Sequence, residues 1–336
     1  MPGDATAVHI PAGDVERDKA WSGDSLSPQA WLIPFPDAGM AELDEIAAFV
    51  RATSPPLETL TPPAFSLEAC ARVMAHVRAR VQHQIGLAVV DRIPVERYSP
   101  RENRAIGWLL AAMLGQVVAQ KWNGTRLYDV MDSGQALGYG VRRSVTNLGQ
   151  PFHTDGGWLW MPPAFVGLFC LQSAREGGIS RFVSLVRAHN EMRRHHPDLL
   201  ARLYRPFPWD RQAEHGPDEA RFCRHPVYHY DGRTLTARYY EDYILSGCAL
   251  AGETLDDEGR EALAAMRAIV DDPSNWVEFR IETGQLQYLN NRQFAHSRTA
   301  FADAAAGPPR HMLRLWTRAE GTVDLDGQGG RRCRER

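Results

Sequence analysis

The segment from Gln150 to Trp160 constrains this chain more than any other, because it places a histidine and an aspartate two residues apart. In an extended strand, residues i and i+2 point to the same face, so His153 and Asp155 can offer an imidazole and a carboxylate to one metal ion. A remote histidine, His296, can complete a triangle of ligands. Two histidines and one carboxylate on one face of an octahedron leave three positions open for other ligands.

The dyad is a weak motif by itself, because the chain has 12 histidines and 41 acidic residues and contains three further His-x-Asp/Glu triplets. The triplet at His189 lies in a helical pattern, which separates residues i and i+2. The triplet at His196 precedes a proline at an expected helix boundary. The triplet at His229 precedes an Asp-Gly hairpin turn. Only the triplet at His153 stands in an aromatic strand context and leads into two glycines, where backbone can approach a ligand closely.

The sequence after the dyad predicts a series of strands. A Gly-Gly turn separates two predicted strands, a hydrophobic run at 164–171 and a second strand that begins near Ser180. An alternating strand at 276–282 returns through a turn as the strand 286–289. A last strand begins at Arg310, and its period of two places four side chains on one face: Arg310, Met312, Arg314 and Trp316.

These motifs resemble, in order and spacing, those of the taurine/2,4-D dioxygenase (TauD/TfdA) family. The motifs are HTD, GG-x-S, the pair Asn290-Asn291 before the distal histidine, and an arginine 14 residues after that histidine. The family consists of Fe(II)- and 2-oxoglutarate-dependent oxygenases related to clavaminate synthase. The similarity extends from about Asn147 to Arg318, which is half of the chain.

The resemblance implies a role for each matching residue. His153, Asp155 and His296 match the iron ligands of the family. Arg310 matches the arginine that pairs with the distal carboxylate of 2-oxoglutarate, and a planar guanidinium can clasp a carboxylate through two parallel hydrogen bonds. Ser180 stands where the family commonly has a threonine whose hydroxyl bonds to that carboxylate.

Further residues are candidate cosubstrate or substrate contacts. Arg314 matches a second arginine near the cosubstrate or substrate in some members, and Asn147 lies near substrate-contacting positions of relatives. Trp158 and Trp160 would share the aspartate's side of the strand if it stayed extended, and could line a substrate pocket or pack in the core. Arg238 could bind an anionic substrate group or form a surface salt bridge.

The resemblance implies hydroxylation of an unactivated C–H bond of a small molecule, with Fe(II), 2-oxoglutarate and O2 as cofactor and cosubstrates. A substrate with an apolar body and an anionic handle, such as a secondary-metabolite or amino-acid-derived scaffold, is the preferred expectation. A catabolic dioxygenase of the taurine or aryloxyacetate type is the alternative. Two other classes, a non-catalytic jelly-roll metal- or ligand-binding protein and a zinc hydrolase, explain Arg310 less well, since neither needs a carboxylate clamp.

The implied fold is mixed α/β and mainly β, with a double-stranded β-helix (jelly-roll) core, N-terminal helices and a helical insertion. We expect one oxygenase domain over 1–336, with flexible tails at 1–25 and 320–336. The core would span 130–318 and the insertion about 185–272. Expected helices lie at about 39–52, 66–84, 100–119, 185–204 and 256–271, and a strand is expected near 126–131.

Composition agrees with a cytoplasmic enzyme. At 336 residues and 44% hydrophobic content, the chain can bury a large core. The net charge of −3, without a polybasic block, gives no reason to expect nucleic-acid or membrane partners. Five scattered cysteines suggest neither a disulfide framework nor a zinc site, and no signal peptide is visible. The sequence leaves the oligomeric state open.

Overall fold

The computed structural model describes residues 9–325 and shows a mixed α/β protein with a large β content, as expected. None of its helices is long and apolar enough to cross a lipid bilayer. Its α-helices are α1 (Asp37–Thr53), α2 (Glu68–Arg78), α3 (Pro100–Ala112), α4 (Leu185–His195), α5 (Pro197–Leu203), α6 (Glu241–Ala251) and α7 (Asp257–Asp271).

The strands fall into two principal sheets and three short two-stranded pairings. In chain order they are β1 (Leu32–Pro34), β2 (Leu87–Asp91), β3 (Gln116–Val118), β4 (Leu127–Val130), β5 (Gln150–His153), β6 (Phe165–Gln172), β7 (Glu176–Gly177), β8 (Ser180–Ser184), β9 (Phe207–Asp210), β10 (Phe222–His225), β11 (Tyr228–Tyr230), β12 (Leu235–Ala237), β13 (Trp276–Phe279), β14 (Leu286–Asn290), β15 (Phe294–Arg298), β16 (Phe301–Ala302) and β17 (His311–Arg318).

The larger sheet has seven strands in the order β1-β2-β14-β6-β17-β3, and β4 also pairs with β17. Side chains alternate between its faces because successive residues of a strand point in opposite directions. Leu313 and Leu315 of β17 pack in one core with residues of α1, α2 and α3. Trp316 of β17 and Val166 of β6 point the other way, into a second core. The sheet therefore separates the N-terminal helices from the interior that contains the functional residues.

The smaller sheet has four strands in the order β13-β8-β15-β5. Its residues Phe152, Phe182 and Ala295 belong to the same core as Trp316 and Val166 of the larger sheet. The two sheets thus share one hydrophobic interior, and β5 and β15 of the smaller sheet carry the two candidate histidine ligands.

Most predicted helices are present, with informative differences in length. The capping box of Ser99 and Glu102 starts α3 as expected, and each partner bonds to the backbone of the other. The helix ends at Ala112 rather than near 119, because 116–118 pairs with β17 as β3. The single helix expected at 185–204 is two helices, α4 and α5, which meet at His196 directly before Pro197.

The segment between β8 and β13 contains α4 to α7 and two hairpins, β9–β10 and β11–β12. After the expected helix at 185–204, the sequence predicts an irregular stretch to about residue 236, apart from the hairpin turn that follows His229, and it does not predict α6. Part of the expected N-terminal tail is packed on the protein: Val15 and Trp21 are buried, and Trp21 stacks on Phe294. Residues 326–336 of the expected C-terminal tail lie outside the described residues.

Candidate active site

Two neighbouring strands of the smaller sheet bring the candidate histidines together. His153 is the last residue of β5, and it lies directly opposite His296 in the antiparallel pairing of β5 with β15. The centroids of the two imidazole rings are 4.2 Å apart. Sheet pairing therefore joins two residues that are 143 positions apart in the sequence (296 − 153).

Asp155 reaches the histidines from a turn and not from an extended strand. The chain leaves β5 after His153, and Gly156 has a φ of +64°, a left-handed conformation that an L side chain rarely adopts. The Asn291 side chain fixes this turn: its Oδ1 accepts from the Asp155 N–H at 2.7 Å, and its Nδ2 donates to the Asp155 carbonyl at 2.9 Å. Asn291 thereby positions the backbone that carries the carboxylate.

The ligand atoms of His153, Asp155 and His296 all lie within 4.8 Å of one another, close enough to hold one metal ion. His153 donates through Nδ1 to the carbonyl of Pro151 at 2.9 Å, which leaves its Nε2 lone pair for another partner. The Gln150 amide lies 2.8 Å from that Nε2. A cation and the amide are therefore alternative partners for this atom.

The charge distribution favours an ionised Asp155 carboxylate beside a neutral His296 imidazole. Burial alone would raise the pKa of Asp155, but the Arg314 guanidinium, 3.2 Å away, and His153 hold that pKa well below its usual range. Trp316 donates its indole N–H to the same carboxylate at 2.8 Å. Burial lowers the pKa of His296 to about 3, so its imidazole is neutral at pH 7. Neutral histidines and a carboxylate are the protonation states in which these residues bind metals.

Arg310 is buried beside the start of β17, and its Nη1 has no hydrogen-bond partner within residues 9–325. Its backbone N–H donates to Asp303 at 2.8 Å, and its guanidinium lies over the Phe301 ring at 5.0 Å. A second buried guanidinium, that of Arg298, covers the same ring at 4.8 Å. Burial, together with the charge of Arg310, lowers the pKa of Arg298 to about 9. Two guanidinium groups on one ring form an electropositive environment that suits an anion.

Ser180 is the buried first residue of β8 and pairs with Arg298 of β15 across the sheet. Arg310 lies close by, since its Nε would be 3.4 Å from a Cβ atom on Gly178. The structure therefore brings Ser180 and Arg310 into one region. Ser180 follows a turn at Gly177 and Gly178, both of which have a positive φ.

The metal-ligand cavity is the pocket that exposes the candidate ligands His153 and Asp155. Arg314 and Trp158 also line it, and both are buried. Tyr240 and Tyr243, from the insertion, form part of its wall and part of a larger neighbouring pocket. The remaining residues that line the metal-ligand cavity are Arg142, Ser144, Gln150, Thr154, Gly156 and Trp316.

Three candidate substrate residues lie outside this cavity. Trp160 is 46% exposed, because the turn after Asp155 directs it away from Trp158. Arg238 donates to the carbonyls of residues 157, 159 and 160, so it holds that turn from outside. Asn147 is exposed, and its carbonyl accepts from the Phe301 N–H.

Sequence reasoning did not find several residues that line the site. Arg142 and Ser144 lie at a short 3-10 helix (Arg143–Val145) before β5, in a segment with no recognisable motif. Tyr240 and Tyr243 lie at the start of the unpredicted helix α6. Asn291 was noted only as part of the pair before the distal histidine. Its spacing from the metal ligands gave no indication that it bonds to the Asp155 backbone.

Comparison with known proteins gives the chain a family. The profile of the taurine catabolism dioxygenase TauD, TfdA family matches residues 56–316. The FR-33289 synthase of Streptomyces rubellomurinus is 28% identical over 291 residues, which cover 84% of each chain. Among solved structures, an asparagine oxygenase bound to Fe(II), 3-hydroxyasparagine and succinate superposes with a TM-score of 0.63 at 20% identity, over 88% of this chain and 94% of that one.

A second solved structure, the non-haem iron oxygenase OrfP with Fe and α-ketoglutaric acid, has a TM-score of 0.58 at 15% identity, over 86% of this chain and 94% of that one. At these identities the structural matches show a shared fold, and the activity follows from the family, whose profile covers more than three quarters of the chain (261 of 336 residues). The chain belongs to the TauD/TfdA family and is an Fe(II)- and 2-oxoglutarate-dependent dioxygenase.

Proposed function

We propose that this dioxygenase hydroxylates an unactivated C–H bond of a small molecule from secondary metabolism or of an amino-acid derivative. The observation that carries the proposal is that His153, Asp155 and His296 form one cluster, while the buried Arg310 covers the same Phe301 ring as Arg298, which follows His296 by two residues on β15. The cluster alone would suit many metal proteins. A carboxylate clamp in the same interior is needed only if a 2-oxo acid binds beside the metal.

His153, Asp155 and His296 are the residues that would hold Fe(II). The donor set fits this ion, because two neutral imidazoles and one carboxylate bind ferrous iron and leave positions open for other ligands. The buried Nδ1 of His296 has no hydrogen-bond partner in the described part of the chain, so this nitrogen is available to a cation. Fe(II) with bound 2-oxoglutarate and O2 supplies the oxidising power for hydroxylation.

Arg310 would bind the distal carboxylate of 2-oxoglutarate, with Ser180 as a hydroxyl donor beside it. Its unpartnered Nη1 supports this assignment, because a buried guanidinium nitrogen without an acceptor is costly unless a ligand satisfies it. Arg298 would add a second positive charge across the Phe301 ring. Arg314 would act differently, because it pairs with Asp155 and so stabilises the ionised form of a metal ligand.

The two sheets are, in this proposal, the facing walls of a double-stranded β-helix within one oxygenase domain that spans the chain. Their shared interior core supports this view, as does the placement of the candidate ligands on the inner side of the smaller sheet. The insertion between β8 and β13 would cover the mouth of the site, since Tyr240 and Tyr243 line the metal-ligand cavity. We further propose that the enzyme acts in the cytoplasm.

Two observations support a biosynthetic or amino-acid-derived substrate. The curated relative is named a synthase of FR-33289, and one structural neighbour contains hydroxylated asparagine. The pocket next to the metal-ligand cavity has an apolar wall of Leu137, Val141 and Leu250, which offers room for a substrate body larger than taurine. Catabolism of taurine or an aryloxyacetate is the alternative within the family.

The test is succinate release from 2-oxoglutarate in the presence of Fe(II) and O2, measured across a panel of amino acids, secondary-metabolite scaffolds, taurine and aryloxyacetates. The proposal expects coupled succinate formation and a product 16 mass units heavier with a scaffold from the first two groups. Coupling to taurine or an aryloxyacetate alone would establish the catabolic alternative. Iron binding without any release of succinate would indicate a metal-binding protein that has lost turnover.

A further inference from the structure

The N-terminal segment 14–19, here called the strap, is fixed along helix α4. The Val15 N–H donates to the Oδ1 atom of Asn190 at 3.1 Å, and the Nδ2 atom of Asn190 donates to the Val15 carbonyl at 3.0 Å. The Lys19 carbonyl accepts from the Oγ atom of Ser184, the cap of α4, at 2.6 Å. The strap lies before residue 56, where the match to the family profile begins. Family membership therefore assigns no role to the strap, and its contacts within this chain indicate one.

Two side chains of the strap enclose the side chain of Gln293, which is only 3% exposed. The two oxygens of the Glu16 carboxylate accept from the Nε2 atom of Gln293 at 2.8 and 2.7 Å. The Lys19 ammonium donates to the Oε1 atom of Gln293 at 2.7 Å and to Glu16 at 2.8 Å. Glu16 has a φ of +42°, a left-handed conformation that residues other than glycine keep only where their surroundings impose it. The strap therefore holds Glu16 in a conformation that directs its carboxylate to Gln293.

Gln293 belongs to the turn between β14 and β15, which also holds a metal ligand in place. The Nδ2 atom of Asn290 donates to the Oε1 atom of Gln293 at 3.0 Å. Asn291 is the next residue, and its side chain bonds to both the N–H and the carbonyl of Asp155. The strap and Asp155 therefore contact the same short turn, the strap at Gln293 and the aspartate at Asn291.

A second connection runs through strand β12 of the insertion. The Leu235 N–H donates to the Glu16 carboxylate at 2.9 Å, and the Leu235 carbonyl accepts from the Nε2 atom of Gln293 at 3.0 Å. Beyond the end of this strand, the Tyr239 N–H donates to the Oγ1 atom of Thr154 at 3.0 Å, and the Thr154 N–H donates to the Tyr239 carbonyl at 2.7 Å. Thr154 stands between the two metal ligands of the HTD motif. The strap is thus connected to the metal-binding segment by two routes.

We propose that the strap positions the metal ligand Asp155, with Glu16 and Lys19 as positioning residues. This inference rests on the proposed iron site and adds to it two residues that no sequence motif marks. In a network of buried hydrogen bonds each bond strengthens its neighbours, so the loss of a bond at Glu16 also loosens the turn that contains Asn291. Outer partners of this kind orient metal ligands and raise the affinity of a site for its metal. The strap therefore acts on the metal site through the turn between β14 and β15.

The first experiment measures hydrogen–deuterium exchange of the Asp155 N–H in the metal-free, full-length protein. Glu16→Ala and Lys19→Met should each increase its exchange rate about fivefold, the equivalent of one hydrogen bond. Asp14→Ala is the matched control, because it removes ion pairs between the strap and α4 and leaves the contacts of Gln293 in place. A strap that only stabilises the fold would give the same exchange rate in all three variants. Thermal melts verify that each variant is folded.

The second experiment measures the affinity for Mn(II) by calorimetry. Glu16→Ala should bind Mn(II) about fivefold more weakly than the wild-type protein, and Asp14→Ala should stay within about twofold of it. Glu16→Gln keeps one acceptor oxygen and should recover part of the loss. The proposal is overturned if Glu16→Ala exchanges its Asp155 N–H no faster than Asp14→Ala, or if it binds Mn(II) as tightly as the wild-type protein. A wild-type protein that binds no Mn(II) would contradict the proposed metal site, and the exchange rates alone would then decide the role of the strap.

Discussion

Trp316 donates its indole N–H to the Oδ2 atom of Asp155 at 2.8 Å. Trp316 belongs to β17 of the larger sheet, whereas the aspartate follows β5 of the smaller one, so this bond connects the two sheets at the metal site. Arg314, two residues earlier on the same face of β17, approaches the same oxygen at 3.2 Å. The carboxylate is thus oriented from the opposite sheet, and its Oδ1 is directed toward His153 at 3.4 Å.

Trp316→Phe should therefore lower metal affinity about 10- to 100-fold, the usual effect of losing a hydrogen bond to a metal ligand. The ring is retained, so most of the packing survives. Binding of Co(II) or Mn(II), followed by calorimetry, measures the change. Trp21→Phe is a suitable control, because Trp21 is a buried tryptophan that donates to the Ile85 carbonyl elsewhere in the protein. Equal metal affinities in both variants would show that the bond does not support the site.

Substitution of Arg310 tests the carboxylate clamp. Arg310→Leu should weaken 2-oxoglutarate binding by roughly 3–5 kcal/mol, because the buried carboxylate of the ligand would lose its charged partner. Ser180→Ala should cost only about 1 kcal/mol, the scale of one hydrogen bond. Arg175→Leu, which replaces an exposed arginine, should have no effect. Unchanged 2-oxoglutarate affinity in the Arg310 and Ser180 variants would place the clamp elsewhere.

The sequence predicted the strands that carry the site residues. It did not predict how the side chains of those residues are arranged around the site. Strand alternation correctly placed Met312, Arg314 and Trp316 on one face of the last strand, because a pleated strand has a fixed period of two. The strand begins at His311 and not at Arg310, and its pairing with β6 shifts register between His311 and Met312. Strand alternation could not place Asp155, which lies in a turn whose path depends on Gly156 and on Asn291, a residue 136 positions away. Trp158 and Trp160 were expected on one side of an extended strand, and they differ from this for the same reason. In the structure Trp158 lines the metal-ligand cavity and Trp160 is exposed outside it.

Long-range contacts explain the other differences. Arg238 follows a strand-like segment, and nothing local indicates that its guanidinium binds three carbonyls of the turn after Asp155. Helix α6 buries Ile244, Gly247 and Cys248 but also carries an exposed leucine, Leu245, so its apolar residues do not mark a single face. Arg142 and Ser144 lie at a short 3-10 helix (Arg143–Val145) and line the metal-ligand cavity together with Arg314 of β17, which no local pattern predicts.

The stability of the protein should depend on pH through His189. Burial lowers the pKa of His189 from 6.5 to about 4, while the neighbouring Asn190 opposes the shift; the imidazole also lies 2.8 Å from the Tyr204 hydroxyl. Between pH 6.5 and 4 the unfolded chain therefore binds more protons than the folded protein. The contribution of the neutral His189 side chain to the free energy of unfolding is fully present above pH 6.5 and is lost as the pH falls toward 4. The loss is on the order of 3 kcal/mol.

Urea unfolding at pH 7.0, 5.5 and 4.5 measures this dependence. His189→Gln should make the free energy of unfolding less dependent on pH over that window, although His225, whose pKa burial lowers to about 3, will leave part of the slope. His229→Gln, at an exposed position, serves as the control and should keep the wild-type slope. An identical pH dependence in His189→Gln and the wild-type protein would mean that His189 is not the source.

The most direct test of the account is Fe(II)-dependent conversion of 2-oxoglutarate to succinate and CO2 by the wild-type protein and by His296→Ala. The account predicts that His153, Asp155 and His296 form one metal site, so the variant should lose turnover and bind Fe(II) far more weakly while its melting temperature shows an intact fold. His229→Ala removes an exposed histidine of another His-x-Asp triplet and should retain full activity. Wild-type turnover by His296→Ala would contradict the assignment of the metal site.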